Sequence, residues 1–182
     1  MKLILLFAIS VHLIACANTD KLINDPTNKI EVSQRIYERK SEFGEHRIFA
    51  PGIRKDYGNA LVSNWLTVQL LKTEKNEYFL RIHNYYGSKS YKFIKSITTL
   101  DRKTHIIKDI DRTVDNCSSI GFELCYLQEL AYIPISQEQY LTGSSNFKFR
   151  INSKNEPMVV TLPKEYIQAF IEVAQAKQPP TP

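Results

Sequence analysis

Residues 66–85 read LTVQLLKTEKNEYFLRIHNY, and they decide the fold. Leu66, Val68 and Leu70 alternate with the polar Thr67 and Gln69. A polar, turn-forming stretch follows at residues 72–76, KTEKN. Alternation then resumes, with Tyr78, Leu80 and Ile82 on one face. Side chains in a strand point to opposite faces with a period of two, so two such runs around a short polar break predict a β-hairpin.

The same signature extends outward. Residues 91–100 (YKFIKSITTL) and 105–114 (HIIKDIDRTV) read as further strands, separated by a turn at residues 101–103. Phe122, Leu124, Tyr126 and Leu130 alternate in a run ending near Ile133. Phe147, Phe149 and Ile151 predict a short strand, and Met158, Val160 and Leu162 its return after residues 152–156. Strands this close together, with few helices between them, pair antiparallel. Two helices are expected. Ser136 and Gln139 have capping-box spacing and open a short helix that Gly143 stops. After Pro163, residues 164–177 place Ile167, Phe170, Ile171 and Ala174 at helical spacing. The expected fold is therefore α+β: a mainly antiparallel sheet, curved or sandwich-like, with a C-terminal helix packed on it.

The chain of 182 residues opens MKLILLFAISVHLIAC. Its apolar run is shorter than the ~20 residues needed to span a bilayer. It follows a single Lys2, the pattern of a secretory signal peptide. The ending Leu13-Ile14-Ala15-Cys16 resembles the lipobox of bacterial lipoproteins. That resemblance implies cleavage before Cys16 and lipid on its thiol and new amino end. Ala17 stands where an Asp would resemble an inner-membrane retention signal, so the implied address is the outer membrane; a periplasmic facing is expected with it, the cell surface being the other orientation open to such an anchor. The expected organisation is a signal peptide at 1–15, a lipidated start and flexible tether at 16–28, one domain at 29–176 and a Pro-rich tail at 177–182. The membrane is then a partner through the lipid on Cys16. Two or more acyl chains anchor stably where one does so only marginally.

The formal net charge of +5 is modest and does not point to nucleic acid. Envelope protein or peptidoglycan is the partner class this address suggests. The expected function is a non-catalytic binding or structural module of the envelope, with a small envelope hydrolase and an inhibitor or immunity-type lipoprotein as alternatives.

Cys117 and Cys125 form an even pair once Cys16 is set aside. In an exported chain the leading reading is a disulfide, worth ~2–3 kcal/mol for so small a loop. A redox pair would favour a C-x-x-C spacing, and zinc would call for about four ligands.

No catalytic residue, metal ligand or cofactor is assigned. His46, His83 and His105 fall outside the H-E-x-x-H spacing, and no G-x-S-x-G elbow is present. Asp109, Asp111 and Asp115 lack the glycine and closing Glu of a calcium loop. One surface is a candidate binding patch: Arg81, Tyr85, Tyr86, Tyr91, Lys92 and Lys95 mix cations and aromatics in one β region.

Overall fold

The computed structural model describes residues 22–40, 45–57, 64–118, 124–154 and 157–177. Cys16, the expected signal peptide and nearly all of the expected tail lie outside the described residues. The chain enters through β1 (Leu22–Ile23), α1 (Lys29–Arg35), β2 (Tyr37–Lys40), β3 (His46–Phe49) and β4 (Gly52–Asp56). The expected hairpin follows as β5 (Trp65–Thr73) and β6 (Tyr78–Ser88), then β7 (Ser96–Thr99), β8 (Thr104–Ile106), β9 (Asp109–Ser118) and β10 (Leu124–Ile135). The chain closes with α2 (Gln137–Tyr140), β11 (Phe147–Asn152), β12 (Met158–Leu162) and α3 (Lys164–Ala176).

The strands form two sheets. The larger, eight-stranded one runs β1-β4-β5-β6-β10-β9, with β2 and β3 attached beside the other half of β5. The smaller runs β12-β11-β7-β8. All pairs are antiparallel except β1 with β4. The α+β reading holds: antiparallel sheets dominate, and they do not close into a barrel.

Alternation sets the inner face. Leu66, Val68 and Leu70 of β5, Leu80 and Ile82 of β6, and Ala131 and Ile133 of β10 are all buried. They share one core with Ile97, Phe149, Ile151 and Leu162 of the small sheet and with Tyr166, Ile167, Phe170 and Ala174 of α3. Each fully buried Leu, Ile, Val or Phe among them stabilises by roughly 1.5–3 kcal/mol. Polar contacts fix where α3 lies. The Tyr166 hydroxyl donates to the Pro51 carbonyl at 2.7 Å and accepts from the Leu70 amide at 3.4 Å. Burial pushes the Tyr166 phenol well above its ordinary pKa. At the far end of the helix, the buried Lys72 ammonium donates to the Ala174 carbonyl at 2.9 Å. That carbonyl is one of those a helix C-terminus leaves without an intrahelical partner. Burial holds the Lys72 amine below its ordinary pKa. Gly52 permits the close approach of β4 to β5, since a Cβ there would lie 2.5 Å from Thr67 Cγ2.

Four stretches differ from the sequence reading, the first being residues 91–95, which read as the opening of a strand but lie outside any, so that β7 begins only at Ser96. The expected tether ends sooner: Leu22 and Ile23 pair with Gly52 and Ile53, and Ile23 is buried. Residues 29–35 form a helix that the sequence reading lacked, capped by the Asn28 side chain on the Glu31 amide. Residues 105–114, read as one strand, divide between β8 of the small sheet and β9 of the large one.

Cys117 and Cys125 are joined by a disulfide and sit directly opposite each other on β9 and β10. Reduction, or Cys117→Ser with Cys125→Ser, is expected to cost about 2–3 kcal/mol in urea unfolding. Tyr166→Phe leaves the Pro51 carbonyl without its buried donor and is expected to cost about 1–2 kcal/mol in the same assay.

Candidate functional site

Between the two sheets the chain passes through residues 89–95, and their course is set by one carboxylate. Glu129 lies on the inner face of β10 and is completely buried. It accepts from the Tyr86 hydroxyl at 2.8 Å, the Arg112 Nε at 3.0 Å and the Ile94 amide at 3.3 Å. Tyr86 in turn accepts from the Lys92 amide at 2.6 Å. A buried charge is tolerated only when paired and hydrogen-bonded, and this one is both. The Arg112 guanidinium also stacks over the Phe93 ring at 5.2 Å. Phe93 takes a φ of 54°, a left-handed conformation that costs an aromatic residue energy. The cation on its ring and the bond from the next amide to Glu129 hold it there. Nearby, the Tyr57 hydroxyl donates to Asn84 Oδ1. Burial raises both the Tyr57 and the Tyr86 pKa well above the ordinary phenol range. Asn84 Nδ2 is buried without a hydrogen-bond partner.

These contacts redraw the expected basic-aromatic patch. Consecutive β6 residues point to opposite faces. Tyr86 therefore enters the core, while Tyr85 and Arg81 lie on the outer face. Arg81 is buried there against Gln69. Tyr91 meets Phe93 edge-on at 6.1 Å. The Lys92 ammonium sits 4.3 Å from the Tyr57 ring centre and 4.9 Å from that of Tyr86. Lys95 is exposed, and its amide bonds the Asn152 carbonyl. The six residues do not form one continuous surface.

The outer face carries a different aromatic row. Trp65 stacks on Tyr85 at 5.2 Å and Tyr85 on Tyr126 at 5.4 Å, crossing β5, β6 and β10. Arg54 covers Trp65 at 5.2 Å. Both faces of Tyr85 are thus occupied by neighbouring rings. The row braces the sheet through cross-strand stacking, and it does not offer the Tyr85 ring as a platform.

A cavity of about 350 Å³ opens beyond the β5–β6 turn, a volume at the lower end for small-molecule sites. Leu71, Phe79 and Tyr132 supply its apolar surface; Arg47, Lys75, Lys108, Glu77 and Asp109 supply charges. Lys108 pairs with Glu77 at 3.7 Å and lies over Phe79 at 5.2 Å. Sequence periodicity did not reveal this cavity, because its walls come from separate strands and one turn.

His105 joins a structural relay in the small sheet. The Tyr140 hydroxyl donates to Asp101 at 3.2 Å and stands 3.1 Å from His105 Nε2. With its proton directed to the carboxylate, that oxygen accepts from the imidazole N–H. Burial holds the His105 pKa below 6.5. The Thr99 hydroxyl, followed by the hydroxyl of Tyr140, holds Asp101 below the usual carboxylate range. Asp109 and Asp111 share the outer face of β9, and Asp115 accepts from the Tyr85 hydroxyl at 3.2 Å. Among the described residues, no group of three His, Cys, Asp or Glu side chains is placed to hold a metal ion. Comparison with protein-family models, curated proteins and solved structures finds no match.

Two predictions follow from this geometry. Glu129→Ala strands Arg112, Tyr86 and the Ile94 amide, and is expected to cost about 3–5 kcal/mol by urea unfolding. For His105, the depressed folded pKa means that the unfolded chain takes up the proton first. Its contribution to stability is complete above pH 6.5 and is lost as pH falls through the lower folded value. NMR titration is expected to place His105 below 6.5, and His105→Gln to flatten that part of the pH–stability curve.

Proposed function

We propose that the chain is a lipid-anchored protein of the bacterial cell envelope, acting as a non-catalytic binding module held at the outer membrane and facing the periplasm. The observation that carries this reading is the sequence MKLILLFAISVHLIAC, in which an apolar run follows Lys2 and ends in Leu-Ile-Ala-Cys. The Cys117–Cys125 disulfide supports it, because such bonds persist in oxidising compartments outside the cytosol. No helix among the described residues is long and apolar enough to cross a membrane, so attachment in this reading rests on Cys16. The 350 Å³ cavity beside Leu71, Phe79 and Tyr132, rimmed by charged side chains, gives the binding role a place for a small group with both apolar and polar parts.

Labelled fatty acid fed to cells expressing the chain tests the anchor. Label is expected in the wild type and none in Cys16→Ser, with the variant moving from the membrane to the soluble fraction. A wild-type chain that never takes up label overturns the reading.

A further inference from the structure

The large sheet ends in a strand with one free side. β9 runs for ten residues, and among the described residues its only strand partner is β10. Among the described residues, no backbone hydrogen bond reaches its other edge. The remaining edges are shorter or covered. β1 has two residues, β8 three and β2 four, while the Lys55 ammonium reaches the Val159 carbonyl of β12 at 3.4 Å. β9 is also held rigid. The disulfide pins Cys117 to β10, and Arg112 is bonded to the buried Glu129. Asp109, Asp111, Thr113 and Asp115 are exposed, as is Val114 at 55%.

An open, preorganised edge can accept a further strand, with main-chain bonds giving affinity and alternate side chains giving specificity. The charges select the partner. Asp109 and Asp111 share the outer face, and Asp115 bonds Tyr85 on that same face. An antiparallel second copy of β9 centred on Arg112 would set Asp109 opposite Asp115, a destabilising like-charge pair. A strand with Lys or Arg on that face would meet carboxylates instead, and apolar residues on its other face would meet Ile110 and Val114. The chain as a whole is basic, with a net charge of +5, so this acidic edge stands apart from its surroundings.

We infer that the free edge of β9 takes up an extended segment of a partner protein in which basic and apolar residues alternate. The inference rests on the binding-module reading and names the kind of partner. The carboxylates disfavour self-pairing along the edge while admitting a cationic strand.

Amide exchange on the full-length chain tests this, with a synthetic peptide of alternating Lys and Val matched to β9 in length. The Lys–Val peptide is expected to slow the outward β9 amides at least about tenfold, an effect that weakens as salt rises. Asp109→Asn with Asp111→Asn is expected to abolish that protection while leaving the amides bonded to β10 unchanged. The inference is overturned if a Glu–Val peptide protects equally, if protection appears only around Leu71 and Phe79, or if sedimentation shows the free chain pairing through β9. In cells, a photo-crosslinker at Thr113 is compared with one at Thr73, beside the cavity. A partner captured from Thr73 alone sinks the edge inference but leaves the binding role standing. Loss of fatty-acid labelling sinks the anchor independently of either.

Discussion

Glu129 sets the terms for this fold. A carboxylate with no access to water must be surrounded by donors, and here they come from three parts of the chain: Tyr86 of β6, Arg112 of β9 and the backbone at Ile94. The first two lie in the large sheet, and the third lies on the path to the small one. Satisfying one buried charge therefore fixes how the chain leaves the large sheet, including the left-handed turn at Phe93. The small sheet, α2 and the relay through His105 lie downstream of that fixed point.

The apolar architecture depends on a simpler constraint. β6 pairs with β5 on one side and β10 on the other. This continuous inner surface requires covers, and α3 and the small sheet provide them. Apolar burial supplies most of the driving force, but it does not choose where α3 sits along the sheet. Tyr166 at one end and Lys72 at the other make that choice by meeting backbone groups that would otherwise be buried without partners.

This division explains what could be read from the sequence. The β5–β6 hairpin, β11, β12 and α3 are each specified by local periodicity, and α2 by the spacing of Ser136 and Gln139. The disulfide was legible because the expected compartment left an even pair of cysteines. Residues 91–95 were not legible as an irregular crossing, because they carry strand-forming residues whose amides bond the Tyr86 hydroxyl, the Glu129 carboxylate and the Asn152 carbonyl. The break between β8 and β9 was equally hidden. Ile107 bonds the Lys95 carbonyl and Lys108 the Tyr132 carbonyl, and neither partner is near in sequence. The short α1 buries only Val32, too little for a periodic signal. The basic-aromatic patch dissolved for a related reason: closeness along a strand places neighbours on opposite faces, so Tyr85 and Tyr86 belong to different environments.

The place of β1 has a consequence for orientation. Five residues separate Cys16 from Leu22, and fully extended they and the flanking bonds reach at most about 20 Å. With Cys16 acylated as proposed, the domain would be moored by its β1 side close to the lipid headgroups. β9 lies at the opposite end of the strand order, five spacings or about 24 Å away. A membrane so near one margin of the sheet would leave the other margin turned toward the aqueous compartment.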